Sequence, residues 1–410
     1  MVLMSDRFRW VYCQLDTLRR CMPSSIRKVL NELPITLDDT YERILQCIPR
    51  EKYQHARRLL QCIVAATRPL RVEELAEIFA IEFGINEAPS LVEDWRPENP
   101  EEALLSACST LIAIVDYQVY KTVQFSHFSV KEFLTSDRLQ TSGIGNIRDY
   151  YVPLEPAHAL LARACLTILL QLDEKVDRER VVTFPLVFYA AEHLVTHAKF
   201  ENVESQIEDE LEHLFNPTKP HLRAWTWLYV VENRFLWPLL RLDEQQPPLA
   251  ATPLYYAASC GFTWLAKHLI MTQSEYVNAK NDQNKAPLYA ASRAGQVDTA
   301  RMLLDHGAHV NGGDDENWTP LHCASWKGHL NVVQLLLEHR ASLESQAIFN
   351  DTPLCLASER GHLKVVWLLL DNGANVHNRG ERDRTPFQVA TVSGHLDVAK
   401  LLLEYGAERE

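Results

Sequence analysis

The chain has 410 residues, of which 47% are hydrophobic and 23% charged, and its formal net charge is -13. This length allows about three domains and excludes a mini-protein or a disordered tail. Acidic residues outnumber basic ones both before and after residue 250. That balance argues against nucleic-acid binding, because such affinity comes mainly from Lys and Arg neutralising phosphates.

The cysteines and the hydropathy pattern indicate a cellular compartment. Nine cysteines are spread along the chain without a C-x-x-C pair, which is typical of reduced, mostly buried thiols. Asp6 and Arg7 interrupt the N-terminus before an apolar signal core, and no apolar run approaches the ~20 residues needed to span a bilayer. We therefore expect a soluble cytoplasmic protein with no membrane association, no metal and no cofactor.

Residues 1–140 are expected to form a helical segment followed by a winged-helix domain. Apolar residues at helical spacing predict several helices, among them one over Val72 to Ile81. Thr36 and Asp39 fit a capping box that opens another helix. The domain boundary near residue 140 rests on where this pattern ends.

In the same region the apolar residues change from helical spacing to strand-like runs, which predicts a small β-hairpin. Leu111–Val115 and Val119–Phe125 are rich in β-branched and aromatic residues around a short turn. Ser129 with Glu132 then fits a second capping box, which predicts a helix containing Phe133. Helices followed by such a hairpin are typical of a winged helix.

A winged helix raises the alternative of DNA binding. The helix over Val72 to Ile81, taken as the one that would enter the groove, carries Glu73, Glu74 and Glu77 and no base-reading Arg or Asn. Its charge would repel phosphates, so the sequence disfavours nucleic acid as a partner.

Residues 141–250 predict a helical connector with bulky tryptophans. His193 and His197 lie four residues apart, which matches part of a zinc motif. The catalytic Glu of that motif belongs between the histidines, and no third ligand is evident. We interpret both histidines as structural.

The last 160 residues contain a repeat. Five prolines lie 34, 33, 33 and 33 residues apart: Pro253, Pro287, Pro320, Pro353 and Pro386. A Thr N-cap precedes most of them, Pro suits the first helical position, and glycines at the same spacing end the helix. A second apolar helix follows, and two short helices bury their faces only by stacking, which predicts a solenoid.

This repeat resembles the ankyrin family, because Thr319 to Ala324 fits the full T-P-L-H-x-A signature. The resemblance implies five ankyrin repeats over residues 251–410. The family's hairpin glycine is replaced by Asn284, Asn317, Asn350 and Asp383, residue types that tolerate positive φ. Ala250 lacks that tolerance, so the first hairpin is expected to differ.

The ankyrin resemblance implies that a protein partner binds hairpin tips and exposed first-helix positions along one concave surface. Large apolar residues at positions that the stack does not need suggest an interface hot spot centred on Trp318, Trp326 and Phe349. The alternative is that both tryptophans only pack between repeats. The matching residues are Asp282, Lys285, Arg293, Asp315, Glu316, Trp318, Trp326, Lys327, Ile348, Phe349, Asp351, Glu359, Arg360, Glu381, Arg382, Arg384 and Val392.

The stretches FRWVYCQLDTLRRC, IRKVLNELPITLDDTYERIL, RPLRVEELAEIFAIEF and VQFSHFSVKEFLTS resemble the region after the ATPase domain in fungal NACHT-type signalling proteins of the STAND class. The resemblance continues into the ankyrins. No G-x-x-x-x-G-K-[ST] loop occurs, so the chain lacks the phosphate-cradling element of such an ATPase. It resembles the regulatory and sensing half of that design.

The NACHT resemblance also implies one nucleotide contact. Phe125, His127, Ser129, Glu132 and Phe133 match the family motif F-x-H-x-S-x-x-E-F, in which the histidine touches a phosphate. Without a nucleotide domain in this chain, a histidine satisfied by the backbone at a strand end is the other interpretation.

The sequence thus predicts a mainly α protein with a winged-helix-like region, a small β-hairpin, a helical connector and an ankyrin α-solenoid. Its expected function is a non-catalytic protein-interaction and regulatory module. One alternative is a regulatory chain acting with a separate nucleotide-binding chain, and a weaker one is nucleic-acid binding. An inositol deacylase would need a serine nucleophile, and no G-x-S-x-G motif occurs.

Overall fold

The computed structural model describes residues 36–84, 88–108, 110–141, 147–172, 183–228 and 249–408. Residues 1–35 of the predicted helical segment and residues 229–248 of the predicted connector lie outside these residues. The described residues divide by packing into two compact units, with the boundary between Glu210 and Leu211. The segment predicted as a connector, 141–250, is therefore shared between the units. No helix in the described ranges has both the length and the apolar character needed to cross a membrane.

The first unit is mainly helical. The capping box at its start is confirmed, because the Thr36 hydroxyl accepts the Asp39 N–H at 3.1 Å. Its α-helices are α1 (Leu37–Gln46), α2 (Tyr53–Ala65), α3 (Val72–Ala76), α4 (Pro100–Cys108), α5 (Phe128–Leu134), α6 (Asp137–Gln140), α7 (Leu154–Leu169) and α8 (Val187–Ala198). Helix α9 (Glu208–Phe215) crosses the boundary between the units.

The strands form two small antiparallel sheets. They are β1 (Leu70–Arg71), β2 (Ile81–Glu82), β3 (Ser90–Leu91), β4 (Ile112–Tyr117) and β5 (Tyr120–Phe125). Strands β4 and β5 form the predicted hairpin, in register from Ile112 opposite Phe125 to Tyr117 opposite Tyr120. Strand β1 joins the outer side of β5, giving the order β1-β5-β4. This arrangement confirms the winged-helix architecture of the region.

Two local predictions are wrong. Helix α5 begins at Phe128, and its N-cap is His127 rather than Ser129, because the imidazole Nδ1 accepts the Ser129 N–H at 3.3 Å. The Ser129 hydroxyl is already occupied by His127 Nδ1 at 2.6 Å and Tyr41 Oη at 2.9 Å. The helix predicted over Val72–Ile81 is α-helical only to Ala76 and continues as a 3-10 turn.

The second unit contains the repeats. Helix α10 (His221–Leu228) precedes five helix pairs, namely α11 (Pro253–Cys260) with α12 (Thr263–Thr272), α13 (Pro287–Ala294) with α14 (Val297–Asp305), α15 (Pro320–Lys327) with α16 (Leu330–Glu338), α17 (Pro353–Glu359) with α18 (Leu363–Asp371), and α19 (Pro386–Val392) with α20 (Leu396–Glu404). Each first helix has proline in its first turn. Apolar faces are buried between successive pairs, as the stacking argument predicts.

The caps of these helices follow the sequence pattern with one exception. The hydroxyls of Thr319, Thr352 and Thr385 each accept the N–H three residues on. Thr252 makes no such bond. The hairpin substitutes Asn284, Asn317, Asn350 and Asp383 all have φ near +60°, as predicted.

Candidate protein-binding surface

The hairpin before α15 is held by a single carboxylate. Asp314 Oδ1 accepts the N–H of Glu316 at 3.0 Å and of Trp318 at 2.8 Å. Asn317 supplies the left-handed residue at the tip. The turn thereby fixes the backbone from which Trp318 enters the first-helix surface.

Trp318 and Trp326 lie at opposite ends of α15 and contact each other. Their ring centres are 6.0 Å apart with an interplanar angle of 81°, an edge-to-face pair. Both side chains are half-buried. Each ring therefore keeps an accessible face beside a neighbour that orients it.

The two tryptophans line a cleft of about 430 Å³, here called the tryptophan cleft. Its volume is within the range of small-ligand and side-chain pockets, about 300–1,000 Å³. The lining residues come from the second and third repeats: Gln283, Lys285, Tyr289, Arg293, Asp314, Asp315, Glu316, Trp318, Cys323 and Trp326. Six predicted residues are thus brought together: Lys285, Arg293, Asp315, Glu316, Trp318 and Trp326.

The floor of the cleft is not reactive. Burial raises the pKa of the Cys323 thiol to about 12. Burial, followed by the neighbouring Cys323, also raises the pKa of Tyr289. Both groups stay protonated at neutral pH and offer a polarisable surface rather than a nucleophile.

Cations border the aromatic rings. Lys327 Nζ and Arg360 Cζ each lie 4.4 Å from the Trp326 ring centre, and Lys285 Nζ lies 5.4 Å from that of Tyr289. These distances are within the range of cation–π attraction. Lys327 and Arg360 are therefore placed beside the cleft, although they do not line it.

Other predicted residues lie outside the cleft. Ile348 and Phe349 are 56% and 60% exposed at the next hairpin, whose Ile348 N–H donates to the Glu316 carbonyl at 2.9 Å. Asp282, Glu359, Glu381, Arg382 and Val392 are exposed, and Asp351 and Arg384 are half-buried. Asp351 Oδ1 accepts the Glu381 N–H at 2.9 Å, so it supports the last hairpin.

Sequence reasoning missed four residues of the cleft: Gln283, Tyr289, Asp314 and Cys323. Tyr289 occupies the position of His322 in the signature, which the pattern marks as structural. Asp314 occupies the position of Asn281, whose Oδ1 accepts the N–H groups of Gln283 and Lys285. Asn281 and Asp314 hold this position in two successive repeats, before Ala347 and Gly380, so the available signal covered Asp314 alone.

The acidic helix of the winged-helix region has a different role from the predicted one. Glu74 is buried and forms a bidentate pair with Arg68 at 2.7 and 2.8 Å, while Glu77 is buried against Arg96 at 2.6 Å. Only Glu73 is exposed. The prediction that Glu73, Glu74 and Glu77 all lie on the surface is therefore wrong for two of them. Glu74 and Glu77 are buried, and each is paired with an arginine.

The helix that directly precedes the hairpin is α4 rather than α3. Its first turn carries Glu101 and Glu102, and it contains no Lys or Arg. Glu101 pairs with Lys121 of β5 at 2.5 Å. The helix next to the hairpin is therefore acidic as well, with no basic side chain of its own.

His193 and His197 do not converge on a metal. Within the described ranges no group of three or more His, Cys, Asp or Glu side chains is arranged to hold one. His197 is fully buried, with Nδ1 2.8 Å from His158 Nδ1 and Nε2 2.8 Å from Tyr189 Oη. Both of its nitrogens have protein partners, in agreement with the structural interpretation.

Comparison with known families identifies the classes of domain. Residues 254–347 and 341–409 match the family model described as ankyrin repeats (3 copies). Residues 41–143 match the model described as GPI inositol-deacylase, winged helix domain. The chain therefore combines a winged-helix domain with ankyrin repeats, and the ankyrin repeats support a role in protein interaction.

One curated relative is similar over a long part of the chain. It is named azaphilone pigments biosynthesis cluster protein L, from Monascus ruber, and is 30% identical over 292 residues. The match covers 67% of this chain and 60% of the relative. The chain thus spans about 60% of the length of this relative. The deacylase in the domain description and the biosynthetic cluster in the relative's name leave an enzymatic activity open.

Proposed function

We propose that this protein is a non-catalytic interaction and regulatory module that binds a protein partner through the concave ankyrin surface. The observation that carries the proposal is the tryptophan cleft, where Trp318 and Trp326 present large, half-buried rings beside charged rims. Interface hot spots are enriched in Trp, Tyr and Arg set in such pockets. Exposed Ile348 and Phe349 extend the apolar surface to the next hairpin.

A regulatory role in the manner of the sensing half of NACHT-type STAND proteins is part of the proposal. It is supported by the resemblance of the N-terminal stretches and by the winged-helix match over residues 41–143. In that role a nucleotide-binding domain, in the same or a separate chain, would contact His127. We place its action in the cytoplasm, supported by six buried free thiols among the seven described cysteines.

The proposal is tested by replacing both cleft tryptophans in the full chain. Trp318→Ala with Trp326→Ala should lower recovery of specific partners at least tenfold, since hot-spot truncations cost about 2 kcal/mol or more. Partners are captured on immobilised protein and quantified by mass spectrometry. Trp367→Ala is the matched control, because this 48% exposed tryptophan lies on α18, away from the cleft lining.

Thermal unfolding separates binding from packing. The double variant should unfold within a few degrees of the wild type while losing its partners. If its melting temperature falls strongly and the captured proteins are unchanged, the tryptophans serve the stack and the proposal is wrong.

A further inference from the structure

A group of cations beside the tryptophan cleft has an uncommon set of neighbours. We define the cationic cluster as Arg293, Lys327 and Arg360, at the ends of three successive first helices. Lys327 and Arg360 are exposed and both stand over Trp326. Across the described ranges, neither is among the side chains that pair with a carboxylate within 4.0 Å.

The members of the cluster repel one another. Partial burial lowers the pKa of Lys327, and the charges of Arg293 and Arg360 lower it further. The like charges of Lys327 and Arg360, held close together over one ring, raise the free energy of the unbound protein, and a bound anion reduces that repulsion. This cluster occurs in a chain whose net charge is -13, so it is local rather than a property of the whole surface.

Three carboxylates line the same cleft, Asp314, Asp315 and Glu316, and all three belong to the hairpin before α15. Asp314 accepts two backbone N–H groups of its own hairpin, and Asp315 accepts the side-chain amide of Asn284. They stabilise the hairpins at the opposite rim from Trp326. The three carboxylates outnumber Lys285 among the hairpin residues that line the cleft, whereas Lys327 and Arg360 at the helix ends are cationic, so an incoming anion is favoured at the helix ends.

The space between the two rims suits an apolar side chain. Tyr289, Trp318 and Trp326 line it with aromatic rings, and the protonated thiol of Cys323 lines it as well. About 430 Å³ is enough for one large aliphatic or aromatic side chain. A ligand that occupies both the tryptophan cleft and the cationic cluster therefore carries an apolar residue next to a negative charge.

We propose that the tryptophan cleft binds an acidic peptide segment of the partner, with an aliphatic or aromatic residue in the cleft and an adjacent Asp or Glu carboxylate on the cationic cluster. This inference rests on the proposed function and narrows its partner to one chemistry. Arg360 offers the carboxylate a bidentate fork, and Lys327 adds a point charge.

The test selects short random peptides displayed on phage against the immobilised full chain. Enriched sequences should carry Asp or Glu next to a large apolar residue, and synthetic copies are then measured by fluorescence anisotropy. The variant Lys327→Glu with Arg360→Glu should weaken their binding at least about tenfold, as expected for a charge-assisted contact. Lys327→Gln with Arg360→Gln should give a smaller loss in the same direction.

The matched control reverses two charges elsewhere. Lys364→Glu with Lys400→Glu changes net charge equally on the exposed second helices α18 and α20. It should bind like the wild type, and melting temperatures of all variants should agree. Binding to the wild type should also weaken when salt rises from about 50 to about 300 mM, because exposed charges are screened.

The outcomes separate this inference from the proposed function. Peptides that lack acidic residues but depend on Trp318 and Trp326 would overturn the acidic-peptide inference and leave the concave binding surface standing. The inference would also be overturned if acidic peptides bound the Lys327→Glu with Arg360→Glu variant as tightly as the Lys364→Glu with Lys400→Glu control. It would be overturned as well if the selection enriched no sequence above the level found with the denatured chain. If only phosphoserine copies of the peptides bind, the ligand is a phosphopeptide and the carboxylate assignment is wrong.

Discussion

At the scale of single residues, His197 is the most strongly perturbed histidine of the first unit. Burial, and then the positive charge that His158 and His193 can carry, lowers its pKa to about 3. Tyr189 and His158 occupy its two nitrogens, and His158 stacks on Phe200 with ring centres 4.0 Å apart. The neutral imidazole therefore belongs to the folded state.

This arrangement predicts a pH dependence of stability. In the unfolded chain the pKa of His197 returns to about 6.5, so below that pH the unfolded state binds a proton that the folded state does not. The free energy of unfolding should fall as pH drops from 6.5 towards 3, by about 1 kcal/mol from this group at pH 5.5. Urea unfolding at pH 7.5, 6.5 and 5.5 measures the slope.

A variant without the titrating ring isolates the contribution. His197→Gln should be less stable at pH 7.5 because it loses packing and one or both hydrogen bonds, but its stability should change less between pH 6.5 and 5.5. His309→Gln, at an exposed histidine, should keep the wild-type slope. An unchanged slope in His197→Gln would contradict the assignment.

At the scale of elements, neighbouring repeats are joined by a recurring contact between a histidine and a glycine. The ring of His362 lies over Gly328, and its Nε2 bonds the Trp326 carbonyl at 3.1 Å. His329 makes the equivalent bond to Arg293 at 3.1 Å over Gly295. The glycine thus ends the first helix and also admits the next repeat's histidine.

Two glycine substitutions separate these roles. Gly328 and Gly373 have φ of +76° and +90°, so alanine at either costs about 1–2 kcal/mol of left-handed strain. A Cβ at Gly328 would also lie 2.6 Å from His362 Nδ1, whereas at Gly373 it meets nothing within 4 Å. Gly328→Ala should therefore lower the free energy of unfolding by at least about 1 kcal/mol more than Gly373→Ala, because His362 must move and lose its hydrogen bond.

Urea denaturation of both variants measures that difference. Equal losses would show that the histidine rearranges without cost and that the contact adds nothing to the interface between the repeats.

The elements that the sequence predicts well are those with local causes. The caps of Thr319, Thr352 and Thr385, the first-turn prolines and the left-handed Asn and Asp turns depend on residues within one turn of the chain, and the structure confirms them. Thr252 is the exception and makes no cap bond. Ser129 failed as a cap because a distant side chain, Tyr41, occupies its hydroxyl. Glu74 and Glu77 failed as surface charges because the half-buried Arg68 and Arg96 pair with them and compensate their burial. Such partnerships are invisible to a periodicity argument.

At the scale of the whole molecule, the tryptophan cleft illustrates the same limit. The positions of Trp318, Trp326, Arg293 and Lys327 within the repeat were enough to predict them as binding residues. Their convergence with Tyr289, and the absence of a carboxylate beside Lys327 among the described residues, required the packing of two repeats. A repeat pattern specifies positions along one unit, whereas a binding surface depends on which side chains from successive units meet.

The sequence of the whole chain contains no G-x-x-x-x-G-K-[ST] motif. A phosphate-binding loop of that kind supplies a series of backbone N–H groups and a lysine. His127, which the family resemblance links to a phosphate, is the N-cap of α5 and is bonded to Ser129. A single histidine at the start of a helix offers a phosphate fewer hydrogen-bond donors than a complete phosphate-binding loop does.

We therefore expect no nucleotide-dependent stabilisation of the isolated full chain and no hydrolysis. A ligand present at 100 times its dissociation constant would stabilise the folded state by about 2.7 kcal/mol, a shift of melting temperature that thermal unfolding resolves. The measurement compares melting temperatures with and without Mg²⁺ and ADP, and phosphate release from ATP. A rise with ADP that disappears in His127→Gln, but persists in the exposed-histidine control His309→Gln, would contradict the prediction and assign His127 a phosphate contact. A rise that persists in both variants would contradict it and place the nucleotide elsewhere.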